Sequence, residues 1–199
     1  MSAAEFAALL AFATAMSFTP GPNTTLSTAL AANYGLARSL RFVVAVPFGW
    51  ALLLLACAAG VGALLQAAPT LALAIKTAGV CYMVWLAWQL AQRDRLAAAD
   101  AGAAPVGFAG GVALQFVNIK AWLTALTISA TWIAIEGQIG LRLVQALPVL
   151  MAYALVSNLL YALVGASLRG WLAQGRRLLW FNRGLALVLV ATAVWMLSR

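Results

Sequence analysis

The stretch Ser17–Thr28, which reads SFTPGPNTTLST, decides how this 199-residue chain folds. It lies in the first long apolar run, where Pro20 and Pro22 forbid an uninterrupted helix, because proline lacks a backbone N–H and clashes with the preceding turn. A membrane interior offers no water to the backbone groups that such a break exposes. A broken helix therefore persists there only where it is buried in protein or lines a cavity. The stretch predicts a broken membrane helix at a binding site.

The composition extends this prediction to the whole chain. Hydrophobic residues make up 65% of the sequence, charged residues 8%, and the mean hydropathy is +0.99. Apolar stretches long enough to cross a bilayer lie at roughly 4–29, 42–66, 71–91, 109–134, 143–168 and 184–198. The chain is expected to be an all-α integral membrane protein with six transmembrane helices.

Residues 93–107 form the longest polar and small-residue stretch and divide the chain into two halves. We expect a first three-helix half at 1–92, a cytoplasmic linker at 93–107 and a second three-helix half at 108–199. Because three is odd, halves that share a fold must have opposite topology, which predicts two inverted three-helix repeats. Phe18–Pro22 and Phe116–Lys120 hold corresponding positions in the leading spans of the two halves.

The basic residues predict the orientation. With twelve Lys and Arg against four Asp and Glu, the net charge is +8, and most arginines fall in connections on one side. The positive-inside rule makes that side cytoplasmic and places both termini outside. These arginines are Arg38, Arg41, Arg93, Arg95, Arg169, Arg176, Arg177 and Arg183. Because they occupy separate loops, they favour contact with membrane lipid and argue against nucleic-acid binding.

The first break supplies five candidate substrate-binding residues. Pro20, Gly21 and Pro22 create the break, and Asn23 and Thr24 begin the half-helix that follows it. The start of a helix presents free N–H groups and a partial positive charge, which can receive a substrate carboxylate. The alternative is that the hydroxyl groups only cap the half-helix.

Three further candidates lie in the second half. Lys120 falls well inside the fourth span beside Asn118, and a cation at that depth is by default a functional residue whose natural partner is a substrate carboxylate. The alternative is that Lys120 extends to the interface or pairs structurally. Asn158 lies inside the fifth span and is expected to complete the polar lining of the site.

Catalysis is not expected from this chain. It has no histidine to act as a general base, and its Cys, Asp and Glu residues do not have the spacing of a metal site. No cofactor is implied.

Cys57 and Cys81 leave a second function open. They fall at similar predicted depths, so the chain could instead be a membrane thiol-disulfide electron conduit. The simpler interpretation is that both cysteines are small apolar packing residues. Small residues such as Gly60, Gly62, Gly79 and Gly165 predict close helix packing, and bundles of this kind often self-associate into homo-oligomers.

The chain resembles the LysE/RhtB family of small bacterial amino-acid exporters over essentially its whole length. The motifs that carry the resemblance are Pro20-Gly21-Pro22, Gly35 with Arg38, Gly49, Lys76-x-x-Gly79-x-x-Tyr82 and Asn118-x-Lys120. The resemblance implies a secondary transporter in the bacterial cytoplasmic (inner) membrane. It would export amino acids or related small amphipathic metabolites, driven by the proton gradient.

Three positions depart from the family pattern. The family typically has Asn-Pro-Lys where this chain has Asn118-Ile119-Lys120, which predicts a milder second break, or none. Trp50 and Asn158 stand where family members often carry acidic residues. Their absence favours a less cationic, more apolar substrate and leaves open a degenerate member that does not transport.

Overall fold

The computed structural model describes residues 1–97 and 106–197, which form helices joined by short connections. Residues 98–105 of the predicted linker lie outside this description. The helices are α1 Ala3–Phe18, α2 Pro22–Tyr34, α3 Leu36–Ala58, α4 Val61–Ala67, α5 Pro69–Ala91, α6 Phe108–Val117, α7 Ile119–Ile128, α8 Ile139–Ser167, α9 Arg169–Leu172 and α10 Arg177–Leu197. A single π-helical turn, Ser129–Ile133, follows α7.

The predicted all-α membrane fold is confirmed. Among the described residues, α3, α5, α8 and α10 are each long and apolar enough to cross a membrane. The pair α1–α2, and the pair of α6 with α7 and its π-helical turn, satisfy the same test only when each pair is joined, which gives up to six spans. In each half a broken pair is followed by two of the long helices. The inverted relation between the halves, their boundaries and the outward orientation of the termini stay predictions.

The first break has the position that Pro20 and Pro22 predict. α1 ends at Phe18, α2 begins at Pro22, and the two helices meet at a bend of 48°. Gly21 is extended at the junction, and its N–H donates to Thr24 Oγ1 at 3.0 Å. The Thr24 hydroxyl in turn donates to the Gly21 carbonyl at 3.1 Å. The break is therefore capped within its own turn.

The second break is present and is sharper than the first, so the prediction that it could be absent at Asn118-Ile119-Lys120 is wrong. α6 and α7 meet at 70°. Asn118 is extended, with φ −93° and ψ 103°, and its side chain accepts a hydrogen bond from the Lys120 N–H at 3.1 Å. The Trp122 indole donates to the Phe116 carbonyl at 2.8 Å. An asparagine cap and a side-chain donor thus satisfy backbone groups at a bend that contains no proline.

Tight helix approaches hold both broken pairs. A Cβ at Gly165 of α8 would lie 2.2 Å from the Thr28 carbonyl oxygen, and one at Gly79 of α5 would lie 2.0 Å from the Val117 carbonyl oxygen. The packing role predicted for these two glycines is confirmed. Gly60 has a different role, because it turns the chain after α3 at φ +94°, and a Cβ there would meet nothing within 4 Å. Its positive φ, which disfavours other residues, explains the glycine.

The two broken helices are buried to different extents. In α2, eleven of the thirteen residues are buried, whereas in α1 only Leu9 and Ala13 are. α2 packs against α3, α8 and α10 near the centre of the fold, and α1 contacts mainly α8. The polar run that follows Pro22 is therefore surrounded by protein, as a broken membrane helix requires.

The arginine-rich end of the bundle is joined by polar contacts. Arg169 Nη1 donates to the Asn33 carbonyl at 2.8 Å, and Nη2 donates to the Ala97 carbonyl at 2.9 Å. The side-chain amides of Asn33 and Asn182 bond reciprocally at 2.8 and 3.0 Å. These contacts hold α9 and the ends of α2 and α10 together on the side predicted to face the cytoplasm.

Candidate functional site

A cavity of about 70 Å³ lies between the two helix breaks. Seven of the eight predicted binding residues line it: Gly21, Pro22, Asn23, Thr24, Asn118, Lys120 and Asn158. Pro20 is exposed and lies outside the lining. The cavity is small relative to pockets for drug-sized ligands, so it suits a small solute.

Lys120 connects the two breaks. Its Nζ donates to the Thr19 carbonyl at 2.8 Å, across from the second broken pair to the first. The aliphatic part of the side chain crosses Gly21, where a Cβ would lie 3.1 Å from Lys120 Cδ and 3.2 Å from Nζ. One of the three N–H donors of the ammonium thus binds a carbonyl next to the break, and the cavity borders the same side chain.

A cluster of side-chain amides forms a second link. Asn23 Nδ2 donates to Gln115 Oε1 at 2.9 Å, and Gln115 Nε2 donates to Asn23 Oδ1 at 3.1 Å. Asn118 Nδ2 lies 3.5 Å from the same Asn23 oxygen. The sequence predicts that Asn23 offers donors to a substrate carboxylate. In this structure the side-chain amide of Asn23 is instead hydrogen-bonded to that of Gln115.

Gln115 is the residue that sequence analysis missed. It is fully buried in α6, and its amide also donates to the Gly111 carbonyl at 3.0 Å. The available signal was a glutamine three residues before Asn118 inside the fourth predicted span, where an amide needs a polar partner.

Thr24 and Asn158 also make internal hydrogen bonds. The Thr24 hydroxyl is engaged with Gly21 in the cap that the structural alternative predicts. Asn158 Oδ1 accepts from Ser27 Oγ at 2.9 Å, and Asn158 Nδ2 donates to the Ala154 carbonyl at 2.8 Å. Asn158 therefore joins α2 to α8 at the wall of the cavity.

The charge of the cavity comes from one residue. Among the described residues that line it, Lys120 carries the only formal charge. A carboxylate can pair with this ammonium through a charge-assisted hydrogen bond. A positively charged amine finds no carboxylate in the lining and can be received there only by carbonyl, hydroxyl or amide oxygens.

The two cysteines lie in different environments. Both are free thiols, Cys57 buried in the core cluster shared by α1, α3, α7 and α8, and Cys81 exposed on α5. The main neighbours of α5 are α10 and α6. This arrangement gives no support to the thiol-disulfide alternative, which needs the two sulfurs to exchange a bond.

Comparisons with known proteins agree on one family. The LysE type translocator family matches residues 14–199. A cysteine/O-acetylserine efflux protein of Klebsiella pneumoniae subsp. pneumoniae is 33% identical over 195 residues, which cover 98% of this chain and 97% of the relative. Proteins with the same name from Escherichia coli (strain K12) and Salmonella typhimurium are each 34% identical, over 88% of this chain and 89% of their own length. No solved structure gives a significant match.

Proposed function

The chain belongs to the LysE type translocator family, and from that premise we propose that it exports small neutral amino acids across the cytoplasmic membrane. The curated relatives are named for the efflux of cysteine and O-acetylserine. These two amino acids have short, uncharged side chains and are therefore the first candidate substrates for this chain.

The observation that carries the proposal is the placement of Lys120. Its ammonium borders the cavity and holds the Thr19 carbonyl at 2.8 Å. A substrate carboxylate is a better acceptor than a neutral carbonyl, because charge-assisted hydrogen bonds are roughly twice as strong as neutral ones. We infer that the carboxylate takes the place of the Thr19 carbonyl and so loosens the tie between the two broken helices.

The lining also supports selection against cationic substrates. Lysine and arginine carry a second positive charge, which would be placed near Lys120 without an acidic residue in the lining to offset it. Asn118, Asn158 and Thr24 supply oxygen atoms at the cavity wall that receive the single ammonium of a neutral amino acid. Preferential transport of lysine or arginine by the purified protein in liposomes would contradict this part of the proposal.

We propose the proton gradient as the driving force. Proteoliposomes with an imposed pH difference should accumulate the substrate against its concentration, and a protonophore should abolish the accumulation. Uphill accumulation that survives the protonophore, or flux that only follows the substrate gradient, would contradict proton coupling while leaving transport itself in place.

The proposed function is tested by export from living cells. Cells expressing the chain are loaded with a mixture of amino-acid dipeptides, and the medium is profiled by mass spectrometry. We expect a neutral amino acid such as cysteine to accumulate outside cells with the wild-type protein but not outside cells with Lys120→Met.

Lys76→Met is the matched control. Lys76 Nζ also donates to a backbone carbonyl, that of Leu197, at 2.9 Å, but Lys76 lies outside the cavity lining. Its variant should export like the wild type. Equal export by all three proteins would contradict the role of Lys120. A medium identical to that of cells without the protein, with the chain present in the membrane, would favour the degenerate, non-transporting alternative.

A further inference from the structure

Two tryptophans of the same core cluster differ in the state of their indole N–H. Trp50 of α3 and Trp122 of α7 are each 8% exposed. Trp122 Nε1 donates to the Phe116 carbonyl at 2.8 Å. Within residues 1–97 and 106–197, Trp50 Nε1 has no hydrogen-bond acceptor. The two buried side chains are alike in burial, and only one of them has a spare donor.

The spare donor belongs to the tryptophan that borders the cavity. Trp50 is part of the lining, and Trp122 is not. Every completely enclosed side-chain nitrogen or oxygen in the described part of the chain has a hydrogen-bond partner. The unbonded Nε1 of Trp50 therefore keeps contact with open space, and Trp50 is one of the residues that line the cavity.

The backbone beside Trp50 is tightly held. At the preceding residue, Gly49, a Cβ would lie 2.8 Å from Val112 Cα and equally close to Gln115 Cγ. α3 thus packs directly on α6, and the Trp50 ring packs in a cluster with Leu53 and Ala121. A donor on a ring fixed in this way can bind an acceptor with little further loss of conformational freedom.

We propose that Trp50 is a specificity-determining residue whose indole N–H donates to an acceptor oxygen in the side chain of the transported amino acid. This inference rests on the proposed function and adds a side-chain subsite to it. Lys120 binds the carboxylate of the substrate, and Trp50, on the opposing helix, hydrogen-bonds to its side chain. The favoured class is amino acids with a short side chain that carries a carbonyl or ester oxygen, of which O-acetylserine is an example.

The proposal is tested by competition in proteoliposomes. The flux of labelled cysteine is measured with O-acetylserine as competitor, and with norleucine, which has a side chain of similar length but no oxygen. A net hydrogen bond contributes about 1 kcal/mol, which is about fivefold in affinity. In Trp50→Phe we expect the inhibition constant of O-acetylserine to rise about fivefold and that of norleucine to stay unchanged.

Two further variants separate the effect of losing the indole N–H from the effect of altered packing. Trp122→Phe removes an indole whose N–H is already bonded outside the cavity lining, so the ratio of the two inhibition constants should stay at its wild-type value. Trp50→Tyr restores a donor and should recover part of the discrimination. Ratios are independent of how much protein folds. Should Trp50→Phe not assemble, the wild-type protein alone provides the test, because norleucine should then compete about fivefold more weakly than O-acetylserine.

The outcomes separate a failure of the proposed function from a failure of the role proposed for Trp50. A wild-type protein that moves no cysteine contradicts the proposed function itself. Cysteine flux with an unchanged inhibition ratio in Trp50→Phe, or with the same change in Trp122→Phe, overturns the role of Trp50 and leaves the proposed function intact.

Discussion

The two helix breaks differ in how their bends are made. The first has prolines on both sides of Gly21 and bends by 48°, whereas the second has no proline and bends by 70°. At the second break the Asn118 cap and the Trp122 indole satisfy backbone groups, and Gly79 lets α5 lie directly against the Val117 carbonyl. The two prolines around Gly21 mark where the first helix breaks, but capping and packing determine how far the second one bends.

The difference gives the breaks complementary roles. The first break leaves a carbonyl, that of Thr19, and the second supplies the ammonium of Lys120 that binds it at 2.8 Å. The amides of Asn23 and Gln115 join the same two regions. The breaks therefore form one site, and weakening either should affect the other.

The largest effect is expected where the second break depends on packing. In Gly79→Ala the new Cβ would lie 2.0 Å from the Val117 carbonyl oxygen, a backbone atom that cannot rotate away. We expect a loss of about 3 kcal/mol in stability, at the upper end of the usual cost of overpacking. Thermal unfolding of the purified protein in detergent measures it.

Gly184→Ala is the control, because a Cβ at this position of α10 has nothing within 4 Å. It should unfold close to the wild-type temperature. Equal unfolding temperatures for the two variants would show that the second break does not depend on the close approach of α5.

A smaller loss is expected when the cap of the second break is removed. Asn118→Ala deletes the acceptor for the Lys120 N–H, and losing such a cap costs about 1 kcal/mol. Asn118→Ser keeps a side chain that can cap the helix and should recover most of the stability. Hydrogen exchange at the start of α7 should rise in the alanine variant only. If serine and alanine behave alike, the cap does not hold the bend.

The smallest effect is expected from adding the proline that the second break lacks. Ile119 is the first residue of α7, where proline is tolerated, and Asn118 before it is already extended. Ile119→Pro should therefore change stability by less than about 1 kcal/mol, since reduced freedom in the unfolded chain offsets some lost contact with Met83. Thermal unfolding of the variant in detergent measures this change.

Leu123→Pro tests the same substitution inside α7, where it should cost about 3 kcal/mol. Leu123 is 39% exposed, so little packing is lost with it. A large loss in Ile119→Pro, comparable to that of Leu123→Pro, would mean that the bend at Asn118 is not compatible with proline.

The sequence predicts the first break well and the second only in part. Pro20 and Pro22 disfavour a continuous helix at their own positions, so the position of the first break can be predicted directly from the sequence. Asn118 is a good cap only when its neighbours leave the chain extended, and the close contact of Gly79 with Val117 joins residues that are distant in sequence. For this reason the size of the second bend could not be predicted from local sequence.

The partners of polar residues were hardest to predict. Lys120 could be placed near a site by its depth, but its contact with Thr19 depends on tertiary packing. The amide pair of Asn23 and Gln115 spans 92 positions of the chain. Arg142 is buried and pairs with Glu5 at 3.1 Å, a contact between residues 137 positions apart in the chain.

Solute-dependent stabilisation of the purified protein tests most directly whether Lys120 binds the substrate between the two breaks. The unfolding temperature is measured in detergent with and without cysteine or O-acetylserine, for the wild type, Lys120→Met and Lys76→Met. A solute at 100 times its dissociation constant stabilises the folded state by about 2.7 kcal/mol. We expect this stabilisation for the wild type and Lys76→Met, and its loss in Lys120→Met. Equal stabilisation of all three proteins would contradict the claim that the two breaks meet at Lys120 to bind the substrate carboxylate.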